Sequence, residues 1–164
     1  MRPPEYWINY LNLKPHPEGG FYRETYRAAE EIAAHGLPDR FDNARNFATA
    51  IHFLLRAEDK SRIHRIKSDE LWHFHAGDTL KLYVLTPHGL ITHRLGTNLE
   101  QGDQPQVTIP ANHWFGAMVM EYGHYTLSSC TVAPGFDFKD FELGDRNKLN
   151  EEFPSQVEII RRLT

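Results

Sequence analysis

A single cysteine, Cys130, is the whole thiol content of the 164-residue chain. One cysteine excludes an internal disulfide and a thiolate zinc site, and it fits a reducing compartment. Long apolar runs are missing too. No stretch approaches the roughly 20 apolar residues that a membrane helix needs, and the opening Met1-Arg2-Pro3-Pro4-Glu5-Tyr6 has no apolar region of signal-peptide type. Nor is there an excess of positive charge: 18 Lys and Arg against 22 Asp and Glu leave a net charge of −4. That balance argues against a dedicated nucleic-acid binder, which usually carries a basic stripe. The expectation is a soluble, cytoplasmic protein with no nucleic acid and no membrane among its partners. Repeats and low-complexity segments are absent as well. What is present, 40% hydrophobic and 12% aromatic residues, is enough for a substantial core without disulfide staples. The length suits one domain spanning residues 1–164.

Pro3 and Pro4 open a short helical pattern in which Trp7, Tyr10 and Leu11 recur at three- and four-residue spacing. It should stop before Pro15 and Pro17, and Gly19-Gly20 leads into a strand over Phe21–Tyr26. Residues 28–43 read as a loop or frayed helix, long enough for a lid or a partner arm. Strands follow at 47–55, at 70–75 after a basic loop, and at 79–85, 90–95, 106–109, 114–121 and 125–132. Short strands spaced this way indicate an all-β sandwich or barrel rather than βαβ units. The tail, 151–163, turns helical or extended, with Val157, Ile160 and Leu163 able to share a face. The expected division is an N-terminal helix and arm over about 1–45, a barrel core over about 46–143 and a C-terminal extension over about 144–164.

The chemistry concentrates between His64 and Asp78. Side chains alternate along a strand, so Glu70, Trp72 and Phe74 share one face and Leu71, His73 and His75 the other. Trp72 and Phe74 are the bulkier pair, which makes theirs the interior face and carries Glu70 inside. Either His64 and Glu70 line a cavity, or His73 and His75 form a chelating pair. Arg62, Arg65 and Lys67 are candidates to hold a phosphate or carboxylate. Other groups read structurally: Glu18 and Glu24 as strand-edge charges, His16 as a turn residue, His52 as half-buried, His88 as exposed and Cys130 as an inert strand cysteine. Phe136, Phe138 and Phe141 would pack down a loop over the cavity mouth. Trp114 would line the pocket or a subunit contact.

The segment His64–Gly77 resembles the first motif of the cupin superfamily, G-x5-H-x-H-x3-4-E-x6-G. His64, Glu70 and Gly77 sit on its first histidine, its glutamate and its closing glycine. The second motif, P-x-G-x2-H, falls on Pro110-Ala-Asn112-His-Trp-Phe115. Two of the four usual metal-ligand positions are apolar, Ile66 and Phe115. Three longer stretches resemble a small single-domain cupin family of unknown function: His16-Pro-Glu-Gly-Gly20, Ser68-Asp-Glu70-Leu-Trp72-His-Phe74 and Cys130-Thr-Val-Ala-Pro-Gly-Phe-Asp-Phe138. That resemblance implies a cupin jelly-roll β-barrel, a homodimer, and a pocket inside the barrel. Gly19–Tyr26 is also similar to a segment of the metal-free dTDP-4-keto-6-deoxyhexose epimerases, which implies His64 as a base.

The resulting expectation is a small polar or anionic ligand in the barrel. His64 and Glu70 form its catalytic centre, Trp72, Phe74 and Phe115 its lining, and Arg62 and Arg65 its anion contacts. No metal and no other cofactor is expected, and the reaction class is a metal-independent sugar-nucleotide epimerase or isomerase. A metal-dependent dioxygenase or isomerase and a non-enzymatic metabolite-binding module are the alternatives.

Overall fold

The computed structural model describes residues 2–164. After helix α1 (Pro4–Tyr10) come strands β1 (Lys14–Pro15), β2 (Phe21–Arg27), β3 (Glu31–Ile32), β4 (Arg45–Asn46) and β5 (Thr49–Arg56). Next are β6 (Ser61–Arg65), β7 (Asp69–Gly77), β8 (Leu80–Thr86) and β9 (Gly89–Leu95). The chain continues through β10 (Gln106–Ile109), β11 (Phe115–Val119), β12 (Tyr125–Ala133) and β13 (Glu142–Leu143), then α2 (Arg146–Glu152) and α3 (Val157–Leu163).

The strands form a six-stranded sheet in the order β1-β2-β5-β12-β7-β10 and a five-stranded sheet in the order β13-β6-β11-β8-β9, with β3 and β4 paired separately. All these strand pairings are antiparallel. The main core lies between the two sheets: Phe53, Trp72 and Ile109 from the first meet Leu82, Leu95 and Phe115 from the second. The period-two alternation of β7 sets this up, with Glu70 and Trp72 buried and His75 exposed. Phe74, half-buried, packs against the same core. Gly77 closes β7 at φ +96°, where a Cβ would lie 2.1 Å from the Tyr125 carbonyl oxygen, so the motif's closing glycine is a steric requirement.

Two smaller clusters cover the outer faces. Trp7, Ile8 and Leu11 of α1 and its exit pack on Leu54, Tyr125 and Leu127, and the Trp7 indole N–H donates to the Tyr125 hydroxyl at 2.9 Å. Helices α2 and α3 bury Leu149, Ile159, Ile160 and Leu163 against Ile63, Leu85 and Trp114.

Several expectations need correction. Tyr10 is 71% exposed, because the half-buried stripe of α1 and its exit runs through Trp7, Ile8 and Leu11 instead. Val157 is exposed while Ile159 joins the face, because α3 begins only at Val157. Trp114 stands apart from the main cavity, buried under the C-terminal helices with the Arg65 guanidinium 4.3 Å over its ring. The basic "loop" is strand β6, with Ile63 turned to the helices and His64 to the other side. Phe47 precedes β5 and is exposed.

Residues 28–43 are mostly loop, interrupted by β3 and by a single 3-10 turn over Ala34–Gly36. β3 pairs with β4, and the Arg45 guanidinium clamps the Asp140 carboxylate through two bonds of 2.6 Å. Both side chains are buried, and the clamp ties this arm to the segment carrying Phe138 and Phe141. Removing one partner of a buried pair strands the other charge. Asp140→Ala is therefore expected to lower stability by about 3–5 kcal/mol, measured by denaturant unfolding; a loss under about 1 kcal/mol would show the clamp to be dispensable.

Candidate functional site

The hairpin between β1 and β2 is built from His16-Pro17-Glu18-Gly19-Gly20. His16 N–H donates to the Gly20 carbonyl and Gly19 N–H to the His16 carbonyl, both at 3.0 Å. Gly19 adopts φ +117°, and a Cβ there would lie 2.0 Å from the Lys60 carbonyl oxygen. Only glycine lets the turn sit this close to the start of β6. The Arg62 backbone N–H and guanidinium then bind the carbonyls of Glu18 and Pro17. This packing drives the Glu18 side chain inward.

Inside, Glu18 Oε1 accepts from Ser61 Oγ at 2.6 Å. Its Oε2 lies 3.3 Å from His64 Nε2 and 3.4 Å from His16 Nδ1. His64 Nδ1 is 2.8 Å from the Arg62 carbonyl oxygen. A carbonyl only accepts, so Nδ1 carries the proton and Nε2 is the free lone pair in the neutral ring. Phe115 and Phe141 flank the imidazole with ring centroids 4.3 and 5.3 Å away. Glu70 Oε2 and Trp72 Nε1 are buried without a hydrogen-bond partner, although the indole and the Cys130 thiol lie beside the Glu70 carboxyl.

His16, Glu18, His64, Glu70 and Cys130 form the floor of a cavity of about 780 Å³, a size that suits a small-molecule ligand. Its walls include Phe53, Ile66, Trp72, Val132, Phe138 and Phe141. Lys14, Glu24, Arg27 and Asp137 contribute charge around it, and Arg27 is already held by Glu24 at 2.7 and 3.0 Å.

Burial governs the electrostatics. It pushes the Glu18 carboxyl up to about 8 against the Ser61 hydrogen bond and Arg62. Glu70 rises to about 7, again through burial first, with His64 opposing and Glu18 adding. Burial, helped by His64, lowers His16 to about 4. It also lowers His64, against Glu70 and the Arg62 carbonyl. Cys130 is raised by burial and by both carboxyls, so its thiol stays protonated.

Of the residues singled out from sequence, His64, Glu70 and Trp72 line the cavity together. Phe115 stands behind His64 and is fully buried, and Phe74 packs into the core away from the cavity. Arg62 serves the hairpin carbonyls, and Arg65 pairs with Glu142 and caps Trp114, so neither lines the cavity. His73 and His75 point to the other face of β7, bonded to Thr131 and Ser129. Glu18 is no strand-edge charge and His16 no mere turn residue: both belong to the buried cluster. The His-Pro-Glu-Gly-Gly run was the signal for them, since two glycines forced by close packing mark a turn pressed against something.

The four motif positions that would hold a metal are His64, Ile66, Glu70 and Phe115, and two of them offer no donor atom. His16, Glu18 and His64 do face one another, but His16 Nδ1 already accepts the Glu18 backbone N–H, and among the described residues no group of three His, Cys, Asp or Glu side chains is arranged to hold a metal ion. Catalytic transition-metal sites ordinarily use at least three protein ligands, so this donor set does not fit one.

The family described as Cupin superfamily (DUF985) matches residues 5–144. A hypothetical protein from Leishmania major is 35% identical, with 99% of each chain covered and a TM-score of 0.89. A protein from Shewanella oneidensis is 36% identical over 100% of this chain and 98% of that one, with a TM-score of 0.88. Oxalate decarboxylase from Bacillus subtilis shares the fold at 13% identity and a TM-score of 0.54, over 92% of this chain and 36% of its own. Among curated proteins, none matches.

The raised carboxyls make stability depend on pH with a definite sign. Between about pH 4.5 and their folded values, the folded state holds protons that the unfolded chain releases, so stability falls as pH rises. His16, lowered to about 4, acts oppositely but only below about 6.5. Wild-type stability should therefore decline between pH 6.5 and 8, and Glu18→Gln combined with Glu70→Gln should flatten that decline. Urea unfolding across this window checks it; equal slopes in both proteins would contradict the assignment.

Proposed function

The chain belongs to the family described as Cupin superfamily (DUF985), and on that premise we propose that it is a metal-independent proton-transfer enzyme of the isomerase or epimerase class. Its substrate is a small polar carbonyl compound held in the cavity. Two facing antiparallel sheets, and the likeness to a cupin of known structure, support a jelly-roll barrel as the container.

One observation carries the reading. His64 is fixed through Nδ1 on a backbone carbonyl, with Nε2 turned toward a carboxyl, beside a cavity whose other acid, Glu70, is poised near neutrality. Proton transfer to and from carbon next to a carbonyl needs groups that gain and lose a proton near the working pH. Burial is the largest influence on both His64 and Glu70. The aromatic wall, with half-exposed Phe138 near His16, offers a flat apolar surface to one side of a sugar-sized ring. Glu24 offsets Arg27, while Lys14 and Arg23 against Asp137 leave the lining slightly cationic, which suits a polar or mildly anionic ligand.

The test is deuterium uptake from solvent into a panel of keto sugars, free and nucleotide-linked. Deuterium should enter at the carbon beside the carbonyl, unaffected by chelator, and the rate should fall by roughly 100-fold or more in His64→Asn. Exchange that dies with chelation, or persists undiminished in His64→Asn, would contradict the proposal, as would no exchange on any member.

A further inference from the structure

Three acceptors converge beside the cavity floor: Glu18 Oε2, His64 Nε2 at 3.3 Å and His16 Nδ1 at 3.4 Å. His64 already commits its Nδ1 proton to the Arg62 carbonyl. His16 Nδ1 already accepts the Glu18 backbone N–H at 3.2 Å. A neutral imidazole carries one N–H, so both facing nitrogens present lone pairs. A bare carboxylate oxygen set between two lone pairs, away from water, would be repelled by each. The arrangement is satisfied when one proton sits among the three atoms.

We propose that Glu18 is a further catalytic residue, holding that proton on Oε2, sharing it with His64 Nε2 and supplying it to the ligand oxygen while Glu70 acts as the base. This rests on the proton-transfer reading of the same cavity. In the step, the C–H bond next to the ligand carbonyl breaks and its proton passes to the Glu70 carboxylate. The electron pair forms a C=C bond, and the carbonyl π pair moves to oxygen. That oxygen takes the shared proton, leaving Glu18 as the carboxylate and His64 neutral. One carboxylate is present before and after, so the buried site never changes charge, and return of both protons restores it.

The groups facing Glu18 fit this assignment. They are His16 on its own hairpin, Ser61 and His64 on β6, Glu70 on β7 and Cys130 on β12. Arg62 engages the Glu18 backbone carbonyl, and among the described residues no Lys or Arg forms an ion pair with the carboxylate that would strip its proton. Burial keeps that proton in place up to about pH 8.

Nitrogen NMR of the ligand-free protein at neutral pH reads the shared proton directly. His64 Nε2 should resonate away from the bare-imidazole position in wild type and move to it in Glu18→Ala. Glu18→Gln keeps a hydrogen-bond donor of the same shape but cannot transfer a proton. In that variant kcat on the keto sugar that exchanges should fall roughly 100-fold with KM unchanged. An Nε2 signal identical in wild type and Glu18→Ala, or an undiminished kcat in Glu18→Gln, would overturn the role of Glu18. A shared-proton signal in a wild type that exchanges no keto sugar would instead overturn the enzymatic reading.

Discussion

The buried carboxyl of Glu18 is the contact on which the rest of the site depends. It joins the β1–β2 hairpin of one sheet to Ser61 and His64 on β6 of the other. Taking a carboxyl out of water is unfavourable unless it is neutral or well paired. The hairpin glycines and the Arg62 bonds to carbonyls hold it there regardless. The fold thus maintains a group in an environment it would not choose, and the consequence is a carboxyl that keeps its proton at neutral pH.

The apolar residues at two motif positions follow the same logic. Phe115 backs the His64 ring, and Ile66 lines the cavity where a second imidazole would stand in the resembled motif. With those residues the floor is less polar and offers two fewer donor atoms than the resembled motif. Burial becomes the leading influence on His16, Glu18, His64 and Glu70 alike. It raises the acids and lowers the bases, so the carboxyls hold protons that the imidazoles give up. The Arg45–Asp140 clamp matters for the same reason at longer range, since it seats the segment from which Phe138 and Phe141 close the wall.

Much of this was legible in the sequence, and what was not has physical causes. β7 announces itself by alternation, because its inner face is packed and its other face is partly exposed; that same parity places Glu70 and Trp72 inside. β6 hid because its residues are basic: Arg62 and Arg65 lie along its exposed and half-exposed sides and look like loop composition. Glu18 and His16 hid for a different reason. Nothing within a few residues of them shows what lies 43 residues onward, where Ser61 waits, and a charged residue in a turn ordinarily faces water. Phe115 was legible as apolar, but whether it lines a cavity or supports the residue that does is a matter of depth, which periodicity does not encode.

Neutron diffraction from crystals exchanged into deuterated buffer at neutral pH would test the central claim most directly, because it locates protons. The account predicts deuterium on His64 Nδ1 toward the Arg62 carbonyl and a further deuterium between Glu18 Oε2 and His64 Nε2. Density showing Glu18 Oε2 and His64 Nε2 both bare, or a cation seated between them, would contradict it.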